Sequence, residues 1–201
     1  ATVLRPGDHE DPRHRRSVGR AALHAEVRVV GADDVELPRG EVGEIVVRGG
    51  QVMLGYWNRP EETAEALRGG WMHTGDAGRM DDEGYVYLTD RLKDMIISGG
   101  ENVYSVEVES VLAQHPAVAT CAVIGVPDET WGERVHAVVV PAAGAAVTLE
   151  ELRAFCADRL AGYKTPRSMD VVDALPLSPA GKVLKRELRK PYWAGQERAV
   201  H

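Results

Sequence analysis

The chain has 201 residues, 44% of them apolar, enough for one large or two small domains to bury a core. Its formal net charge is −7, which excludes the basic surplus that nucleic-acid and anionic-lipid binders carry. The longest small and apolar run, 137–147, is broken by Pro141 and Gly144 and falls short of the roughly 18–20 residues that span a bilayer, so no transmembrane segment is expected.

Residues 1–20 are polar, contain proline and arginine and read as loop, with Ser17-Val18-Gly19-Arg20 turning into the first strand. Two period-two strands follow, at 25–30 and 43–48, parted by Gly31-Ala32-Asp33-Asp34 and Pro38-Arg39-Gly40. Pro60 with Glu61 and Glu62 opens a short helix to Leu67, because proline suits the first turn and acids suit the positive end of the dipole. Residues 77–80 and 85–90 read as a hairpin whose turn, Asp81-Asp82-Glu83-Gly84, is a solvated tip. Asp90, Arg91, Lys93 and Asp94 then crowd four charges into five residues, a pattern suited to an exposed joint between two units.

Beyond the joint, Met95-Ile96-Ile97 can form a strand, ending at Gly99-Gly100, a tight loop on the way to a helix that also admits another molecule close to the main chain. Ser105 is expected to cap a helix over 106–114, stopped by His115-Pro116. Strands are expected at 118–126, ended by Pro127, at 135–140, ended by Pro141, and at 169–172. Thr148-x-x-Glu151 is a capping box for a helix to about Ala161, with Leu149, Leu152, Cys156 and Leu160 inward, and 185–190 is a short basic helix. The order is strand-rich first, then helix–strand–strand–helix–strand: an α+β chain of two units, 1–92 and 93–201. Cys121 and Cys156 lie far apart in apolar contexts and read as buried thiols of a reducing compartment. No His-Glu-x-x-His or Cys-x-x-Cys spacing implies a metal.

Several words carry chemistry. An aspartate after a glycine turn, Asp76 in His73-Thr74-Gly75-Asp76, can offer two carboxylate oxygens to a diol, although Thr-Gly-Asp is also a common turn. Pro176-x-x-x-x-Gly181-Lys182-Val183-x-Lys185 reads either as a proline-rich turn into a basic helix or as a lysine loop; it is not a Walker loop, because proline stands five residues before Gly181. These words, with Asp90-Arg91-Leu92-Lys93-Asp94, Gly99-Gly100-Glu101-Asn102, Gly55-Tyr56-Trp57-Asn58-Arg59-Pro60 and Gly162-Tyr163-Lys164-Thr165-Pro166, closely resemble the adenylate-forming acyl-CoA synthetase superfamily from about Ser17 to Leu188.

That resemblance implies an ATP-dependent ligase that converts a carboxylic acid to an acyl-adenylate and pyrophosphate, then transfers the acyl group to CoA. It implies a strand-rich subdomain of the large AMP-binding domain, a hinge, and a small mobile α+β C-terminal domain. It places Asp76, Thr74 and Arg91 on ATP or AMP, Lys93 at the pivot, and Lys182 as the catalytic cation at the substrate carboxylate and α-phosphate. It places Gly99, Gly100 and Glu101 along the CoA path, with Trp131 either beside that ligand or packing the domain face. Tyr56 and Trp57 are expected to pack, and Lys164 to be a surface charge or to meet a CoA phosphate. The family's phosphate-binding Ser/Thr-Gly-Lys loop and its magnesium-binding glutamate word are absent. The chain is therefore expected to be the C-terminal portion of a longer cytoplasmic synthetase, inactive alone, whose partners are its N-terminal portion and small-molecule substrates, with magnesium held elsewhere and a homo-oligomer left open. The hinge words point to a fatty acid; an aryl-CoA ligase, an adenylating enzyme with another acceptor, and a non-catalytic nucleotide- or protein-binding piece are the alternatives.

Overall fold

The computed structural model describes residues 1–195 and divides into two compact units, Ala1–Leu92 and the residues from Lys93 onward. In the first unit, β1 (Thr2–Val3), α1 (Pro6–Glu10) and β2 (Arg20–Ala21) precede β3 (Ala25–Val30), β4 (Gly43–Gly49), α2 (Pro60–Ala66), β5 (Met72–Met80) and β6 (Val86–Arg91). The last four strands form an antiparallel meander in chain order. Val29, Ile45, Met80 and Val86 are buried together on it, with Val18, Val27 and Leu37 against them. Residues 1–20 are not loop throughout as expected: β1 pairs with β2, and the Asp8 carboxylate accepts the Arg5 N–H at 2.9 Å, closing the first turn of α1. Nor are the hairpin acids all solvated, since Asp81 accepts the N–H groups of Glu83 and Tyr85 and the Tyr87 hydroxyl.

The second unit runs β7 (Ile96–Ser98), β8 (Glu101–Val103), α3 (Ser105–Leu112), β9 (Val118–Asp128), β10 (Gly132–Pro141), α4 (Leu149–Cys156), β11 (Ser168–Val171) and α5 (Lys185–Arg189). Strand β10 pairs antiparallel with β9 and β7 and parallel with β11. Both faces of this sheet are covered, which is why 118–126 reads as an apolar run without alternation. Val123, Val135, Ala137 and Val139 meet Val108, Leu112, Leu152 and Cys156, while Ala122, Ile124, Val126 and Val138 meet Leu175, Val183, Leu188 and Tyr192.

Four local expectations are corrected in this unit. Pro127 lies inside β9 rather than ending it, because β9 pairs only with β10 and an edge strand tolerates a residue without an N–H. Ser105 is the first residue of α3, not its cap, and its hydroxyl accepts from Lys185 Nζ at 2.6 Å. The Thr148–Glu151 capping box forms, but α4 ends at Cys156, before Ala161. Gly99-Gly100 joins two strands, not a strand and a helix: with φ of +63° and +83° they form the tight turn that a two-residue hairpin needs. No helix among the described residues is long and apolar enough to cross a membrane.

Candidate functional site

The word His73-Thr74-Gly75-Asp76 sits within a strand, not in the turn expected for it. Along β4 and β5, Glu44 pairs with Ala77 and Val46 with His73, so the single residue Ile45 faces Thr74, Gly75 and Asp76. The surplus forms a bulge, made sterically acceptable by Gly75 at φ +69°. The Thr74 hydroxyl is used inside it, donating to the Ile45 carbonyl at 2.6 Å and accepting the Asp76 N–H at 3.2 Å. Asp76 then stands opposite Arg91 on β6, with Arg91 Nε 3.5 Å from Asp76 Oδ1, and both side chains open to solvent. An exposed ion pair adds little stability. Its chemical interest is that a carboxylate and a guanidinium are displayed side by side: one accepts hydroxyl protons, the other offers a planar fork to an anion.

The bulge depends on a residue that the sequence reading passed over. The Glu44 carboxylate, 11% exposed, accepts the Gly75 N–H at 3.0 Å and lies 2.7 Å from His73 Nδ1 and 3.3 Å from Arg68 Nη2. The available signal was a glutamate directly preceding the buried run Ile45-Val46-Val47.

In the second unit, Lys93 lies in the short 3-10 turn Leu92–Asp94. Its carbonyl accepts from Arg189 Nη1 at 3.0 Å, and Arg189 Nη2 meets Asp94 Oδ1 at 2.7 Å with side chains 12% and 15% exposed. Arg189 thereby ties the segment after Lys93 to α5, and nothing in the basic run of α5 distinguished it beforehand. Gly99 and Trp131 come together: Gly99 donates to the Trp131 carbonyl at 2.8 Å, and a Cβ at Gly99 would lie 2.7 Å from the indole Cε3. The same indole carries the Arg167 guanidinium at 4.1 Å. Gly100 has open space around it, and Glu101 is exposed on β8.

Lys182 is exposed on a hairpin closed by the Leu177–Val183 bridge and by the Ser178 N–H, which donates to the Lys182 carbonyl at 2.8 Å. Its ammonium has no partner among the described residues. It belongs to the second unit, whereas Thr74, Asp76 and Arg91 belong to the first. Lys164, by contrast, is committed to both oxygens of Glu107, at 2.7 and 2.8 Å. Tyr56 and Trp57 do not pack as expected: Trp57 is 90% exposed, displayed by a turn whose Asn58 has φ +53°. Cys156 is buried, but Cys121 is only partly so; burial, assisted by the Glu109 carboxylate, pushes its thiol up to about 12, far from nucleophilic. Among the described residues no three His, Cys, Asp or Glu side chains are grouped to hold a metal ion.

Two family profiles match this chain, "AMP-binding enzyme" over residues 1–57 and "AMP-binding enzyme C-terminal domain" over residues 107–182. A feruloyl-CoA synthase of Amycolatopsis sp is 53% identical over 88% of the chain and 36% of its own length. A long-chain-fatty-acid–CoA ligase of Mycobacterium tuberculosis is 49% identical over 89% of the chain and 35% of its own length. The solved o-succinylbenzoate CoA synthetase of Bacillus subtilis, in complex with its acyl-adenylate intermediate, superposes with a TM-score of 0.84 at 40% identity over 93% of this chain and 38% of that one. The chain thus spans about a third of the length of the curated relatives it matches.

Proposed function

Because the chain belongs to the AMP-binding enzymes of the adenylate-forming superfamily, we propose that it is the nucleotide-holding and rotating part of an AMP-forming acid–CoA ligase. In that reaction a carboxylate oxygen attacks the α-phosphorus of ATP, a new C–O–P bond forms and pyrophosphate leaves. The CoA sulfur then attacks the acyl carbon, the carbon–oxygen bond to AMP breaks, and the thiol proton is lost to solvent or a base. The observation that carries this reading is the cross-strand pair Asp76–Arg91 on a glycine bulge. Asp76 accepts from the ribose hydroxyls, and Arg91 lies alongside to meet negative charge near the α-phosphate. Lys182, exposed and without an ion-pair partner among the described residues, supplies the mobile positive charge as pyrophosphate departs. Lys93 is the pivot, and the Gly99-Gly100 hairpin with Trp131 forms the wall along which pantetheine reaches the acyl carbon.

Magnesium would be held by the rest of a longer polypeptide, because no three His, Cys, Asp or Glu side chains are grouped for it among the described residues. The remaining two thirds of a longer polypeptide would supply the acyl pocket and the phosphate loop, and the chain by itself would not turn over. The acid is proposed to be a fatty acid, supported by the likeness to the mycobacterial ligase; an aryl acid is the second reading, supported by the likeness to the feruloyl-CoA synthase. A cytoplasmic setting belongs to the same proposal, supported by two free thiols. The test is Asp76→Asn in the intact polypeptide that carries this chain. The KM for ATP should rise by about tenfold or more, the loss typical of a hydrogen bond to a charged group, while the KM for the acid stays within about twofold. An unchanged KM for ATP would remove Asp76 from the nucleotide.

A further inference from the structure

Asp76 is only partly buried, yet the backbone that aims it is held by one nearly buried carboxylate. A three-against-one bulge gives up ladder hydrogen bonds, and each freed N–H needs another acceptor. Glu44 Oε1 takes the Gly75 N–H at 3.0 Å, and the Thr74 hydroxyl takes that of Asp76 at 3.2 Å. Glu44 Oε2 accepts from His73 Nδ1 at 2.7 Å and from Arg68 at 3.3 Å, so the glutamate grips the residues just before and in the middle of the bulge. An ionised carboxylate only accepts, and each Glu44 oxygen already takes a protein donor, so its charge is spent chiefly on holding the bulge.

We propose that Glu44 is a positioning residue for the ribose of the nucleotide: it fixes the bulge that aims the Asp76 carboxylate at the 2′,3′-diol, without itself touching the ligand. The proposal rests on the reading of Asp76 as the ribose-binding residue. It makes a demand that a merely structural glutamate does not. Loss of Glu44 must erode recognition of the diol in particular, and must do so through Asp76.

The test compares ATP with 2′,3′-dideoxy-ATP as substrates of the intact polypeptide, in the wild type, Glu44→Ala, Asp76→Asn and the double variant. Glu44→Ala should reduce the preference for ATP over the dideoxy nucleotide by about tenfold or more, short of the roughly 10²-fold that a full 1 Å misplacement can cost. The double variant should discriminate no worse than Asp76→Asn alone. Glu44→Gln, which keeps an oxygen for the Gly75 N–H but cannot accept from His73 and Arg68 with the same charge, should fall between, and it keeps the test usable if the alanine variant folds poorly. Equal loss of activity toward both nucleotides, or losses that multiply in the double variant, would overturn the proposal. If Asp76→Asn itself leaves the preference untouched, the underlying ribose reading fails and the proposal with it.

Discussion

Replacing Gly99 by alanine should destabilise the second unit by about twice as much as replacing its neighbour Gly100. Both glycines have positive φ, +63° and +83°, and an L-residue in that region costs roughly 1 kcal/mol or somewhat more. At Gly100 that is the whole cost, since a Cβ there meets nothing within 4 Å. At Gly99 the Cβ falls 2.7 Å from Trp131 Cε3 and 3.1 Å from Cζ3, so the indole must move. Its backbone is pinned by the Gly99 N–H, and movement forfeits the Arg167 stack, worth about 0.5–1 kcal/mol at a partly exposed site. The expected totals are about 1 kcal/mol for Gly100→Ala and about 2 for Gly99→Ala. Urea unfolding of each variant, followed by far-ultraviolet circular dichroism, reads the difference. Repeating the pair in a Trp131→Ala background isolates the cause, because the excess at Gly99 should disappear. Equal losses in the wild-type background, or an excess that survives removal of the indole, would refute the packing argument.

Arg189→Met should destabilise the second unit by about 1–3 kcal/mol, because it leaves the poorly exposed Asp94 carboxylate without its hydrogen-bonding partner. Arg189→Met combined with Asp94→Met should recover most of that loss in the same unfolding assay. His136 is buried, with Ser168 at Nδ1 and the Tyr192 hydroxyl at Nε2. Burial, only partly opposed by Asp170, holds its imidazole below the ordinary range. The unfolded chain therefore takes up the proton first, so this contribution to stability is whole above about pH 6.5 and is lost as pH falls below it. His136→Gln should flatten the drop in the urea midpoint between about pH 7 and pH 5; an unchanged slope would mean that other groups carry it.

Much of this architecture is legible in the amino-acid sequence. Alternation at 25–30 and 43–48 placed β3 and β4, and the Thr148–Glu151 box marked the start of α4, because these are local signals in which side chain and backbone agree. What escaped was set by distant partners. The bulge at Thr74–Asp76 exists because β4 supplies one residue where β5 supplies three, and no window of β5 alone reveals that. Pro127 remains in a strand because of which edge it occupies, and Ser105 is drawn from capping by Lys185, 80 positions later. The proposed site residues behave likewise. Asp76, Arg91 and Lys182 stand in recognisable words, whereas Glu44, which holds the backbone before Asp76, and Arg189, which holds Lys93 and Asp94, are visible only once strand register and helix docking are known.

The proposed division of two half-reactions between different residues is tested most directly by Lys182→Ala in the intact polypeptide. Acid-dependent ATP–pyrophosphate exchange should fall by roughly 10²–10³, as when preorganised charge is removed from a transition state. Thioester formation from preformed acyl-adenylate and CoA should stay within about threefold of wild type. Unaltered exchange, or an equal fall in both half-reactions, would contradict the account.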